Sequence, residues 1–190
     1  MSLPDSYFEE MYRRDADPWR FATSDYEREK YAATLAAIGE GLIGTALEVG
    51  CSIGVFTHAL AERCGHLLAV DVSDTALAAA RARCTDRSNV DLTHLRIPAE
   101  WPAGQKFDLI VLSEVLYFLS PADVEATARH AQAALHPAGK IVLVNWTGPT
   151  DYPQSGDAAA ERFIARCEVM MKITLHQRHP AYRLDVLTRQ

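Results

Sequence analysis

Apolar residues recur along this chain in two rhythms, and the points where one gives way to the other predict its elements. In the opening segment Tyr7, Phe8, Met11 and Tyr12 fall at i, i+1, i+4 and i+5, one face of a first helix. Asp17-Pro18-Trp19 interrupts it, because proline disfavours helix in the residue before it. Ser24 followed by Glu27 has the form of a capping box and predicts a second helix through about Ile38. Arg28, Tyr31, Leu35 and Ile38 share one face of that helix, and Gly39, Gly41 and Gly44 end it.

A strand–helix alternation follows. Ala46 to Val49 is a short apolar strand that runs through a glycine turn into a helix from about Val55 to Cys64. His66 to Val72 is a second strand, and Ser73 caps an alanine-rich helix through Ala82. Val90 to Leu95 is a third strand. Phe107 to Ser113, almost wholly apolar, reads as a fourth strand covered on both faces. Ser120-Pro121 opens a helix to about Leu135 as N-cap and first-turn proline. Lys140 to Trp146 is a fifth strand, and Asp157 to Glu168 a last helix. Met171 to Arg178 and Arg183 to Thr188 form two strands joined tightly through His179-Pro180-Ala181. The expected fold is therefore α/β: a Rossmann-like, seven-stranded, mostly parallel sheet closed by a C-terminal antiparallel hairpin, the class I methyltransferase arrangement. One domain over residues 1–190 is expected, with residues 1–40 as a helical lid.

Composition narrows the function. A net charge of −6, without a cluster of five or more Lys/Arg, lacks the footprint of a nucleic-acid binder. The four cysteines, at 51, 64, 84 and 167, show neither a CxxC pair nor metal-ligand spacing, so no metal is expected and they read as buried thiols. No apolar run reaches membrane-spanning length, and no secretory signal is seen at the N-terminus. A cytoplasmic monomer without membrane contact is the resulting expectation.

The densest chemical signal is Glu48-Val49-Gly50-Cys51-Ser52-Ile53-Gly54, at the turn from the first strand into its helix. In open α/β sheets that turn faces the ligand crevice, and glycine lets a ligand approach the backbone. Asp71 ends the second strand, 21 residues beyond Gly50, where a carboxylate can accept both hydroxyls of a ribose. A dinucleotide fingerprint would read GxGxxG, whereas Ser52 and Val55 stand at its second and third glycines. S-adenosyl-L-methionine carries no phosphate and tolerates a side chain there, so it replaces a dinucleotide as the expected cofactor, with S-adenosylhomocysteine as product. Cys51 in the turn, Val72 after Asp71, Ile97-Pro98 after the third strand and Ser113 at the end of the fourth are further expected cofactor contacts. Trp19 is expected to close over the cofactor, and Arg28 to pair with its carboxylate. An arginine snorkelling over the core edge is the competing reading for Arg28. Glu114 leaves the fourth strand three residues before Tyr117, and both are candidate catalytic residues. Tyr117, Trp146 and Tyr152 are candidate walls for an acceptor, with ordinary packing as their competing reading.

The runs LEVGCSIG and FDLIVLSEVLYFLS resemble class I methyltransferases in general. YFEEMYRRDADPWRFATSDYEREKY and TDYPQSGDAAAERF resemble a narrower group, the nodulation protein S family. That resemblance runs from about Tyr7 to Leu187. It implies N-methylation of a free amine on a small molecule, in the family's case the deacetylated terminal glucosamine of a chitooligosaccharide. It also implies cofactor contacts at Glu48, Gly50, Gly54 and Asp71 beneath the N-terminal segment. It assigns no catalytic residue. An O-methyltransferase and a catalytically silent cofactor-binding domain remain the alternatives, with a dehydrogenase behind them.

Overall fold

The computed structural model describes residues 1–189, and its seven strands lie in one sheet in the order β3-β2-β1-β4-β5-β7-β6. The chain divides into two compact units, Pro4–Arg96, and Met1–Leu3 with the residues from Ile97 onward.

The first unit contains α1 (Asp5–Arg14), α2 (Asp25–Ile38), β1 (Ile43–Val49), α3 (Val55–Ala61), β2 (Cys64–Asp71), α4 (Asp74–Arg83) and β3 (Val90–His94). β1 and β2 run parallel from Ile43↔Cys64 to Val49↔Val70, and β2 and β3 from Leu67↔Val90 to Asp71↔His94. Ala46, Leu47, Leu67, Ala69 and Val70 are buried, as the apolar runs require. α3 is shorter than the sequence pattern suggests, and Cys64 already belongs to β2. Ser73 caps α4 by accepting from the Ala76 N–H at 3.1 Å.

The N-terminal helices are fixed by polar contacts that hydropathy does not reveal. Glu9 of α1 receives the Ser73 hydroxyl at 2.6 Å, the Thr75 hydroxyl at 2.7 Å and the Thr75 N–H at 3.2 Å. A carboxylate there satisfies the open N-terminus of α4. The Ser73 hydroxyl, followed by that of Thr75, holds the Glu9 carboxyl down at about 2. In α2 the inward stripe is Glu27, Lys30, Thr34 and Ile38. Lys30 Nζ lies 3.0 Å from Glu27 and 5.2 Å from the centre of the Tyr26 ring. The Ser24–Glu27 capping box is thus half formed: Ser24 Oγ accepts from the Glu27 N–H, while the Glu27 carboxylate turns to Lys30.

The second unit contains β4 (Phe107–Ser113), a short 3-10 turn (Leu116–Phe118), α5 (Pro121–Ala134), β5 (Leu135–Trp146), α6 (Gly156–Cys167), β6 (Met171–Arg178) and β7 (Tyr182–Arg189). β4 and β5 are parallel, whereas β5 with β7 and β6 with β7 are antiparallel, as the C-terminal strand pattern predicts. β5 begins at Leu135, directly where α5 stops, because Leu135 pairs with Phe107 before a register shift. Between α6 and the sheet Arg183 is buried, donating to Asp185 at 2.9 Å and to Asp157 at 3.0 Å.

Gly156 opens α6 against the end of β5. A Cβ built on it would stand 1.8 Å from the Trp146 carbonyl oxygen. Gly156→Ala is therefore expected to lower the unfolding free energy by about 2 kcal/mol, since backbone must move to admit the methyl. Urea denaturation of both proteins measures this, and superimposable curves would contradict the close approach.

Candidate active site

The turn after β1 is built from left-handed backbone: Gly50 has φ 78, Ser52 φ 50 and Gly54 φ 77. Glycine adopts such angles without strain, whereas serine does so at a cost. The Gly50 and Cys51 N–H groups both donate to the Val70 carbonyl, at 2.8 and 3.0 Å, and the Gly54 N–H to Cys51 at 2.9 Å. The Ser52 N–H donates to Asp71 Oδ2 at 2.9 Å. Four amide donors of the turn are therefore committed to the fold. A pyrophosphate loop works the other way, aiming its N–H groups at the ligand. Gly54 has a packing role as well, since a Cβ there would meet Ala80 Cα at 2.9 Å.

Asp71, at the end of β2, is buried and ties two segments together. Its Oδ2 takes the Ser52 N–H, and its Oδ1 takes the Ser73 N–H at 3.0 Å. Burial raises its pKa, and the amides of Ser73, Ser52 and Val72 work against that rise. Cys51 is a buried free thiol beside it, its pKa also raised, first by burial.

Glu48 is buried on β1, and its Oε2 has no hydrogen-bond partner among the described residues. Burial pushes its carboxyl up to about 7, with the Thr57 hydroxyl opposing and the Asp71 charge adding. Because the folded value lies above the ordinary one of 4.5, the linked stability is complete below about pH 4.5 and lost as the pH rises through about 7. Glu48→Gln cannot ionise. The stability of the wild type relative to this variant should fall by about 2 kcal/mol from pH 5 to pH 8. Denaturant titrations across that range measure the difference, and parallel pH curves would contradict it.

α1 reaches this turn through Tyr12, whose hydroxyl donates to Ser52 Oγ. Trp19 packs edge-on against Tyr12, with ring centres 5.6 Å apart, beside Phe21, Ile53, Val55 and Ala76. The Tyr12–Ser52 contact and the Glu9 hook are absent from the sequence reading, since no spacing rule links residues so far apart in the chain. Arg28 requires a correction. Its side chain is 72% exposed and pairs with Asp25 at 2.8 Å, so it does not share the buried face. The helix is turned about one residue from its apolar stripe because Glu27 and Lys30 neutralise each other and bury together.

In the second unit Ile97 is buried and Pro98 half-buried, joined by a cis peptide bond. Ser113 ends β4 opposite Val144, and Glu114 follows with φ 59. The Glu114 N–H donates to the Val144 carbonyl at 2.8 Å. Its Oε2 accepts the Tyr117 hydroxyl at 2.7 Å and the Trp146 N–H at 2.8 Å. The carboxylate is thus aimed by both strand ends, β4 through its own backbone and β5 through Trp146. Tyr117 stacks on Tyr152 with centres 5.6 Å apart and planes at 10°, and Phe118 meets Tyr152 edge-on at 4.6 Å. The structure therefore gathers Glu114, Tyr117, Trp146 and Tyr152. In the first unit it gathers Glu48, Gly50, Cys51, Gly54 and Asp71, with Val72 half-buried after Asp71.

This strand order, closed by an antiparallel pair, is the class I methyltransferase fold. The solved N-methyltransferase NodS from Bradyrhizobium japonicum in complex with S-adenosyl-l-homocysteine shares it, with a TM-score of 0.81 over 97% of both chains at 24% identity. A putative methyltransferase from Pseudomonas syringae aligns with a TM-score of 0.75 at 35% identity, covering 86% of this chain and 99% of that one. Nodulation protein S from Sinorhizobium fredii is 37% identical over 129 residues. That match covers 67% of this chain but 59% of the relative, so the chain spans less than two thirds of that protein. The family model for nodulation protein S matches residues 8–145. The chain belongs to the nodulation protein S family.

Proposed function

We propose that this protein transfers a methyl group from S-adenosyl-L-methionine to a free amine of a small molecule, releasing S-adenosylhomocysteine. The observation that carries the reading is the turn at Gly50–Gly54, with four of its five amide donors committed to the fold beside the buried Asp71. Such a turn has little to offer a phosphate and suits a cofactor that brings a ribose and no phosphate. The cofactor, when bound, supplies a methyl group already activated on a sulfonium.

In this reading Asp71 accepts the ribose hydroxyls, Gly50 and Cys51 let the cofactor lie close to backbone, and Trp19 covers it. Glu48, Gly54 and Val72 complete its surroundings in the first unit. Little covalent chemistry is left to the protein, whose main contribution is alignment in a water-poor site. Glu114 draws in the acceptor ammonium and takes its proton, since only the neutral amine has a lone pair to offer. Tyr117 and Trp146, both donating to Oε2, fix the orientation of the carboxylate that does this. The stacked Tyr117 and Tyr152 give the acceptor a flat wall of the kind that suits a sugar ring.

The acceptor proposed is the deacetylated terminal sugar of a chitooligosaccharide, and the working form a cytoplasmic monomer. Among the described residues no helix is long and apolar enough to cross a membrane. The protein, S-adenosyl-L-methionine and either a fully acetylated or a terminally deacetylated chitooligosaccharide are incubated, and products are weighed by mass spectrometry. One added methyl on the free-amine sugar alone is expected. Methylation of both, or of a hydroxyl, would overturn the N-methyl assignment. Methylation of other amines but neither sugar would overturn the proposed acceptor and retain the reaction.

A further inference from the structure

Ser52 is a non-glycine residue held at φ 50, in the middle of the turn whose N–H groups define its shape. Its N–H meets Asp71 Oδ2 at 2.9 Å, so its backbone angle and the placement of that carboxylate are one feature. The same residue's hydroxyl oxygen accepts the hydroxyl of Tyr12, a buried side chain of α1. We propose that Tyr12 is a positioning residue for the cofactor: through Ser52 it holds the turn in its left-handed form and keeps Asp71 aimed. The inference rests on the cofactor reading given above.

Three observations support it. Burial raises the Tyr12 phenol well above its ordinary pKa, so the ring remains a neutral donor throughout the working range. α1 does not depend on the Tyr12 hydroxyl for attachment, because Glu9 makes three hydrogen bonds to Ser73 and Thr75. The ring itself packs on Trp19, Ile53 and Ala76, contacts that phenylalanine would keep. Removing the hydroxyl therefore isolates its hold on Ser52.

The test is a double-mutant cycle with Tyr12→Phe and Ser52→Gly, read by calorimetric titration with S-adenosylhomocysteine and by amide exchange of the unliganded protein. Tyr12→Phe alone should weaken binding about fivefold and speed exchange at the residue-52 amide by a similar factor. Glycine takes the left-handed angle unaided, so in the Ser52→Gly background Tyr12→Phe should change neither readout by more than about twofold. Equal losses in both backgrounds would mean that Tyr12 serves only general packing, and no loss in either would mean it serves nothing here. Both results overturn the proposal. If the wild type fails to bind S-adenosylhomocysteine, the cofactor reading falls, and with it the cofactor-positioning role. The exchange data would still decide whether Tyr12 holds the turn.

Discussion

Replacing Glu114 by glutamine is expected to lower kcat by about 10²- to 10³-fold while leaving S-adenosylhomocysteine affinity within about twofold. The substitution keeps the size and planarity of the side chain and one carbonyl oxygen for Tyr117 and Trp146. It removes the negative charge and the capacity to take a proton. An amine acceptor suffers twice, losing the attraction for its ammonium form and the group that receives its proton. A hydroxyl or thiol acceptor with its own acidity would depend less on Glu114. The positive φ at Glu114 fits this role, because a residue rarely holds that angle unless its surroundings impose it. The Glu114 N–H on Val144 and the Trp146 N–H on Oε2 are those surroundings. Steady-state kinetics with a free-amine acceptor, beside calorimetric titration, give both quantities. Unchanged kcat would remove Glu114 from the chemistry, and a collapse of cofactor affinity would reassign it to binding.

Asp71→Asn is expected to weaken S-adenosylhomocysteine binding by about 100-fold, with a loss of a few degrees in Tm. The carboxylate accepts from backbone on both oxygens, from Ser52 on Oδ2 and from Ser73 on Oδ1. An asparagine can accept on only one side. Its amide N–H₂ must then face a backbone N–H, donor against donor, at either the turn or the head of α4. The variant thus loses the charge-assisted acceptor proposed for the ribose and disturbs the turn at Ser52. Calorimetry and thermal melts read the two effects separately. A large fall in Tm with unchanged affinity per folded molecule would show that Asp71 holds the fold and not the cofactor.

Much of this architecture is legible in sequence because its signals are local. Gly50 and Gly54 between two apolar runs mark a strand-to-helix turn, and Ser120-Pro121 marks the start of a helix. The terminal hairpin is visible in the two strand runs flanking His179-Pro180-Ala181. What escapes is set by pairings distant in sequence or by polar groups that bury together. Arg28 lies on the apolar period of α2, yet the buried face is chosen by the Glu27–Lys30 pair, whose joint neutrality hydropathy cannot register. Glu9 looks like any surface acid of an amphipathic helix until α4 is placed beside it. Leu135 reads as the end of α5 and is also the first residue of β5, a start fixed by its pairing with Phe107. At the candidate site the residue types at Glu48, Asp71 and Glu114 were readable from their places at strand ends. The Tyr12–Ser52 contact and the grip of Trp146 on Glu114 come only with the fold.

The most direct test of the central claim is calorimetric titration of the purified protein with S-adenosylhomocysteine, run beside NAD and ATP as phosphate-bearing controls. One molecule of S-adenosylhomocysteine bound per chain, with neither control binding, is the result expected of a turn with four of its five amide donors committed to the fold. Failure to bind S-adenosylhomocysteine, or binding of NAD in its place, would contradict the methyltransferase function proposed for this protein.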